Sequence, residues 1–233
     1  MCGILGYIGS RSLNKSLILN SLNLMKNRGP DNQSYQKLRI FNKGVYLFHS
    51  RLSIIDLQSR SNQPFRFKNL IMIFNGEIYN YLELREDLKR KGYKFKTSSD
   101  TEVLLKCYYE YGDAAFSKFN GMWSLAILNL KSGYLKLSKD YFGEKPLYLY
   151  CKNNELIFGS EIKYIKSMLK DSLHINSKSL EKNLYFGYKS LNYNNDTFFK
   201  DIKKIPKNNI YRFDLKNFKS SKNKYFNFKK SEN

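Results

Sequence analysis

The sequence predicts an α+β fold, with two stacked layers of mainly antiparallel sheet and helices packed outside. The middle third is a succession of short apolar runs, MWSLAILNL, GYLKLSKD, KPLYLYCKN and ELIFGSEI, separated by turn chemistry such as KSG and KNNE. Ahead of them lie two segments with capping signals and helical apolar spacing, NYLELREDLKRKG and SSDTEVLLKCYYEYG. Two flanking helices are too few to cover both faces of a long parallel sheet, which disfavours a doubly wound arrangement.

In chain order, GILGYIG reads as a short buried strand. From Ser12 to Lys26 the apolar residues Leu17, Ile18, Leu22 and Met25 recur at helical spacing. NRGPDN ends that helix, with Gly29 and Pro30 read as a turn. GVYLFHSRLSII is strand-like, and NLIMIFNGE reads as a buried strand running into a glycine turn. Asn80 and Glu83 have the spacing of a capping box, Leu84 and Leu88 share a face, and Gly92 ends the segment. Ser99 and Glu102 repeat the capping pattern ahead of Val103, Leu104, Cys107, Tyr108 and Tyr111. Asp100 then falls in the first helical turn, close to free backbone N–H groups. The four strands of the middle third follow. Strand-like segments continue to Phe213, after which Lys and Asn dominate and the sequence does not show whether the chain is ordered. The expected division is therefore a domain over 2–213 and a basic tail over 214–233.

With 233 residues and 42% hydrophobic content, the chain is long enough for one large domain with a buried core. It has no 18-residue apolar run to span a membrane, and its start lacks the order of a signal peptide. Cys2, Cys107 and Cys151 are too few and too scattered for a disulfide framework. These features fit a cytoplasmic protein. The formal charge of +21 is spread along the chain among Asn, Tyr and Ile. No zinc-finger spacing, RNP-like segment or glycine-rich phosphate loop accompanies it, so no nucleic-acid partner is expected. Two distant histidines, His49 and His174, and scattered cysteines give no metal-ligand pattern. HSRLS brings His49 near Ser53, but no motif supports a histidine base there.

Cys2 directly follows the initiator methionine. Removal of Met1 would leave a thiol and a free α-amine on one residue. An α-amine titrates near 7.7–8.0 and a free thiol near 8.5, about close enough for one to take the other's proton. The alternative is an unreactive cysteine beside a strand. At 75–77, NGE follows a fully apolar run. The Asn75 side chain and the Gly76 backbone N–H would suit an oxyanion hole, although Asn-Gly is also a common hairpin signal. An arginine such as Arg51 suits a carboxylate and a carboxylate such as Asp100 suits an ammonium. The pair would read both ends of an α-amino acid, or each is a surface or cap charge.

The segments MCGILGYIG, NRGPD, HSRLSIIDL, NQPF, FNGEIYNYLELREDL, SSDTEVLL, FNGMWSLAI, DYFGEKPLYLY and LIFGSEIK, in this order, closely resemble class II glutamine amidotransferases. The resemblance is specifically to the glutaminase domain of glutamine-hydrolysing asparagine synthetases, the asparagine synthetase B family, and is clearest over 2–170. It implies a four-layer αββα N-terminal-nucleophile hydrolase fold. It also implies Cys2 as nucleophile after methionine loss, with Asn75 and Gly76 as the oxyanion hole. Arg51 would grip the α-carboxylate of L-glutamine in a stretch lined by Leu52, Ser53, Ile54 and Ile55, and Glu77 and Asp100 would receive its α-amine. Hydrolysis of glutamine in this family needs no cofactor. ATP and Mg belong to a synthetase domain whose SGGLDS-like loop is absent from this sequence. Three explanations fit: a fragment or shortened gene product, which is favoured, an excised domain, or a glutaminase subunit with a separate ATP-dependent synthetase subunit or domain as a possible partner. Residues 214–233 are then a tail or the start of that domain. Two alternatives stay open: the glutaminase part of a sugar or other carboxylate amidotransferase, and a catalytically weak regulatory or interaction module.

Overall fold

Two six-stranded sheets stack face to face in the computed structural model, which describes residues 1–187 and 195–226. Strands β1 (Gly3–Gly9), β2 (Asn32–Ile40), β3 (Lys43–Arg51), β8 (Tyr148–Lys152), β9 (Glu155–Gly159) and β10 (Ile202–Lys204) make the first sheet, ordered β10-β8-β9-β1-β3-β2. Strands β4 (Phe65–Phe67), β5 (Leu70–Ile78), β6 (Gly121–Asn129), β7 (Tyr134–Lys139), β11 (Asn209–Asp214) and β12 (Ser220–Lys224) make the second, ordered β12-β11-β7-β6-β5-β4. Neighbouring strands pair antiparallel throughout.

Period-two alternation sorts the side chains into layers. Ile4 and Ile8, Val45 and Leu47, and Leu156 and Phe158 face Ile71 and Ile73, Ala126 and Leu128, and Leu135 and Leu137 between the sheets. The intervening residues pack outward. Leu5, Tyr7, Tyr46 and Phe48 meet helices α1 (Lys15–Met25) and α4 (Ile162–Met168) through Ile18, Met25, Tyr164, Ile165 and Met168. Met72, Phe74, Trp123 and Leu125 meet α2 (Tyr81–Arg90) and α3 (Asp100–Tyr111) through Leu84, Leu88, Val103, Leu104 and Cys107. The order helix, sheet, sheet, helix is the αββα arrangement expected. A fifth helix, α5 (Ser177–Phe186), buries none of its residues.

The structure departs from the local sequence signals in several places. Asn75 and Gly76 are not a turn: β5 runs through both to Ile78, and they pair with Ser124 and Trp123 on β6. The Asn-Gly turn preference yields because a long partner strand is available on that edge. Strand β3 stops at Arg51, so Leu52 to Ile55 are loop. At α2, the Asn80 amide turns away from the helix, donating to Lys118 O at 2.9 Å and accepting from Asn120 N at 2.9 Å. Ser99 does cap α3, accepting from Thr101 N at 3.1 Å, but Glu102 reaches back past it to the N–H of Thr97 at 2.7 Å. Past Phe213, where the sequence leaves order open, β12 pairs with β11, and Tyr225 packs on Trp123 and Tyr141. Cys2, Cys107 and Cys151 are all free thiols. No helix among the described residues is long and apolar enough to cross a membrane.

Candidate active site

At one end of the sandwich the inter-sheet layer turns polar. Cys2 has the facing of Ile4 and Ile8 one step before β1, His49 and Arg51 that of Val45 and Leu47 on β3, and Asn75 and Glu77 that of Ile71 and Ile73 on β5. Three strands that supply the apolar core thus carry polar residues to its rim. There Cys2, Asn75 and Glu77 line a pocket with Met1, Leu52, Ile54, Ile55, Gly76, Asp100 and Lys145, while His49 and Arg51 stay behind its wall.

Cys2 is half-buried, its Sγ 3.5 Å from the N–H of Leu52 and 3.6 Å from Leu52 O. Burial pushes its thiol pKa up, and the Asp100 carboxylate adds to the rise. The Leu52 hydrogen bond, the N-terminal ammonium and the Arg51 guanidinium pull the other way without offsetting it. With Met1 attached, this is a protonated, weakly nucleophilic thiol.

Asn75 is 1% exposed, and its amide nitrogen Nδ2 has no hydrogen-bond partner. A buried, unpaired amide donor costs about 1–3 kcal/mol, so its retention beside a thiol points to a ligand that would pair it. Gly76 is needed for a different reason than a turn. A Cβ there would overlap Met122 O and come within 2.7 Å of Trp123 Cα on the paired strand. Only glycine lets β5 and β6 close at this point.

The acidic side of the pocket is Glu77 and Asp100. Asp100 is buried and begins α3, accepting from Ile78 N at 3.1 Å and from Ser99 Oγ at 3.3 Å. Burial raises its pKa to about 6, and the neighbouring Glu77 contributes to the rise, against the hydrogen bonds from Ile78, Thr101 and Ser99. Two carboxylates together, one of them desolvated, make a place for a cation. The loop that delivers Asp100 is pinned by the buried Glu102 carboxylate, which accepts from Lys96 N at 3.0 Å and Thr97 N at 2.7 Å and is itself paired with Lys106 at 2.6 Å. Arg85 of α2 also holds the carbonyls of Thr97 at 2.7 Å and Ser99 at 3.0 Å.

Arg51 is placed differently from the sequence expectation. Its guanidinium is buried and donates to Gln58 O at 3.0 Å, Asn62 Oδ1 at 2.8 Å, Ile55 O at 3.3 Å and Asp56 O. It lies behind the pocket wall and shapes the loop of residues 52–62, whereas Leu52, Ile54 and Ile55 line the pocket directly. Ser53 is a support, its N–H donating to Asp31 Oδ2 at 2.7 Å.

Several positioning residues have no signature of their own in the sequence. Arg28 donates to Cys2 O at 2.9 Å and pairs with Glu161 at 3.3 Å. Gly29 passes so close to Ser50 and Arg51 that any Cβ would strike their backbone. Gln63 donates to Phe74 O at 3.2 Å and accepts from Phe74 N at 2.6 Å, fixing β5 one residue before Asn75. Asp56 ties the loop to the segment leading into α3, accepting from Ser98 N at 2.7 Å, and braces the loop itself by accepting from Arg60 Nε at 3.1 Å. The one signal for Asp31, Gln63 and Arg28 is that all sit inside the segments NRGPD and NQPF, which carry the family resemblance. His49 is fully buried, its pKa lowered to about 4 by desolvation, with Nε2 3.1 Å from Phe74 O. It is a neutral packed residue, not a base at the thiol. Among the described residues no group of His, Cys, Asp and Glu is placed to hold a metal ion.

Comparison with known proteins agrees with this geometry. The family described as glutamine amidotransferase domain matches residues 1–226. Asparagine synthetase [glutamine-hydrolyzing] 1 of Bacillus subtilis is 37% identical over 195 residues, covering 81% of this chain and 30% of the relative. Asparagine synthetase [glutamine-hydrolyzing] 3 of the same organism is 31% identical over 173 residues, covering 71% of this chain and 27% of the relative. The chain thus spans about a third of the length of these relatives. Among solved structures, a glutamine phosphoribosylpyrophosphate amidotransferase from B. subtilis superposes with a TM-score of 0.67 over 97% of this chain and 49% of that one. At 15% identity that likeness speaks for the fold alone.

Proposed function

The chain belongs to the glutamine amidotransferase domain family, and from that premise we propose that it hydrolyses L-glutamine to glutamate and ammonia through a thioester on Cys2. The observation that carries this reading is the unpaired, buried Nδ2 of Asn75 beside Gly76, in one pocket with the Cys2 thiol. Removal of Met1 would place a free α-amine on Cys2. The amine takes the thiol proton, and the thiolate attacks the side-chain amide carbon of glutamine. Negative charge then develops on the amide oxygen, where Asn75 Nδ2 and the Gly76 N–H stabilise it more than the planar ground state. The α-ammonium protonates the departing nitrogen and ammonia leaves. Water attacks the thioester, which releases glutamate and restores the thiol.

Glu77 and Asp100 receive the α-ammonium of the substrate. Arg51 serves its α-carboxylate, which requires some of the loop carbonyls now holding the guanidinium to yield. The names of the relatives favour asparagine synthesis as the use of the ammonia. The ATP-dependent half of that reaction would lie in a separate synthetase domain or subunit.

The test is glutamate release by purified protein together with its intact mass. Loss of Met1 and abolition of turnover by Cys2→Ala are expected. Undiminished turnover in the alanine variant would rule the thioester out.

A further inference from the structure

Asp140 follows β7, and its carboxylate is spent on the backbone. It accepts the N–H of Trp123 at 3.1 Å, Phe142 at 3.0 Å, Gly143 at 2.5 Å, Glu144 at 3.0 Å and Lys145 at 3.2 Å. The chain closes into a tight cap, with Gly143 at a φ of +75°. Its last residue, Lys145, turns into the pocket that holds Cys2. Lys145 is 7% exposed, and its Nζ lies 3.5 Å from Sδ of Met1. A thioether is a weak acceptor for a desolvated ammonium.

The other charges around the Met1–Cys2 junction are committed. Arg28, which also approaches Met1 Sδ at 3.9 Å, is paired with Glu161 and donates to Cys2 O. Arg51 is engaged by its loop. Glu77 and Asp100 stand at the substrate-ammonium side, and Glu144 flanks Lys145 on its own cap. Among the described residues, Lys145 is the pocket-lining side-chain cation, and its ammonium rests against Met1, the residue whose removal would free the Cys2 amine.

We propose that Lys145 holds the α-amine of mature Cys2 in its neutral, proton-accepting form, and so is a positioning residue for the nucleophile. This rests on the reading of Cys2 as nucleophile. An ordinary α-amine, titrating near 7.7–8.0, is about nine-tenths protonated at pH 7, so only about a tenth of it is free to take the thiol proton. The Lys145 ammonium is separated from that amine by the Met1 side chain and the 3.5 Å contact to its sulfur. A fixed cation at such a distance disfavours a second one, lowering the pKa of the amine by about one unit. The same field makes the α-ammonium, once formed, a stronger acid toward the departing nitrogen.

The test compares wild type with Lys145→Met and Lys145→Arg, each shown by intact mass to begin at Cys2. In protein labelled with ¹⁵N-cysteine, the α-amine signal is titrated by NMR. The acid limb of kcat/KM for glutamate release is followed in parallel. We expect the methionine variant to titrate about one pH unit higher, to lose about fivefold in kcat/KM at pH 7, and to recover most of it by pH 9. The arginine variant should track wild type. An unshifted amine titration in a folded Lys145→Met protein overturns the proposal, whatever its activity. Persistence of turnover in Cys2→Ala overturns the underlying reading instead, and the NMR titration separates the two failures.

Discussion

On one side of the pocket Asn75, Gly76 and Glu77 are consecutive rungs of the β5–β6 ladder, and Asp100 is tied to the same strand through Ile78 N. On the other side Arg51 and residues 52–62 form a loop whose shape depends on a guanidinium gripping carbonyls and on the Asp56 carboxylate gripping Ser98. The strand wall is set by backbone pairing, and the loop wall by side-chain contacts that include the Arg51 guanidinium. Under the proposed function, the groups that stabilise charge in the transition state would sit on the strand wall, and recognition of the substrate carboxylate would fall to the loop wall.

The sharpest way to break this contrast is Asn75→Ala. Because Nδ2 satisfies nothing in the fold, its removal should cost stability about 1 kcal/mol or less. Loss of an oxyanion donor should nevertheless lower kcat by about 10²–10³ with KM nearly unchanged. A large fall in melting temperature with an unaltered kcat would mean that the amide is structural.

Asp100 offers the next largest effect, read in stability. Its folded pKa of about 6 lies above the ordinary 3.8. The folded state therefore holds the proton more tightly than the unfolded chain. The stabilisation is complete below the ordinary value and is lost as pH rises through about 6. The loss amounts to about 3 kcal/mol. Asp100→Asn should abolish this dependence and give a protein more stable than wild type at pH 7.5 in chemical denaturation. It should also raise KM for glutamine by removing half of the ammonium site. A variant less stable than wild type at that pH would show that the carboxylate is ionised at little cost, and the strand wall would then be less desolvated than its geometry indicates.

How far the sequence foretells these walls follows the range of the contacts. The alternation in LIMIF sets the facing of β5, so the pattern alone puts Asn75 and Glu77 on one side of a strand. The Asn-Gly pair mimics a turn because local propensity says nothing of the partner strand, whose backbone at Met122 and Trp123 is what demands glycine. The loop wall is the less legible. Arg51 is recognisable as a functional arginine through the resemblance, but its grip on Gln58 and Asn62 depends on how the chain doubles back. Asp140 and Lys145 lie in a segment that carries the resemblance, yet nothing local indicates that the carboxylate folds the cap and sends the lysine toward Met1. The order of β12 is hidden by composition, since SSKNK is polar and exposed and gains its place by pairing with β11 and through the adjacent Tyr225.

The smallest expected effect tests the loop wall alone. Burial alone would push the Asp56 carboxyl up. The hydrogen bonds from Ser98 and Gln58 N–H and from Arg60 more than offset it and hold the carboxyl well below the usual carboxylate range. A depressed pKa of this kind means that the clamp is intact above the ordinary 3.8 and fails only as pH falls below it. In the neutral range the clamp can be weakened by Asp56→Asn, which keeps the size but removes the charge that the bonds from Ser98, Gln58 and Arg60 share. A bond to a charged acceptor is worth about 1.5–3 kcal/mol against about 1 kcal/mol for a neutral one, so the loop should loosen without unfolding. Because Asp56 lies on the loop wall and not on β5, KM for glutamine should rise about fivefold while kcat stays within about twofold. A kcat that fell with KM unchanged would instead couple the loop to the oxyanion donors, and the two walls would then act as one.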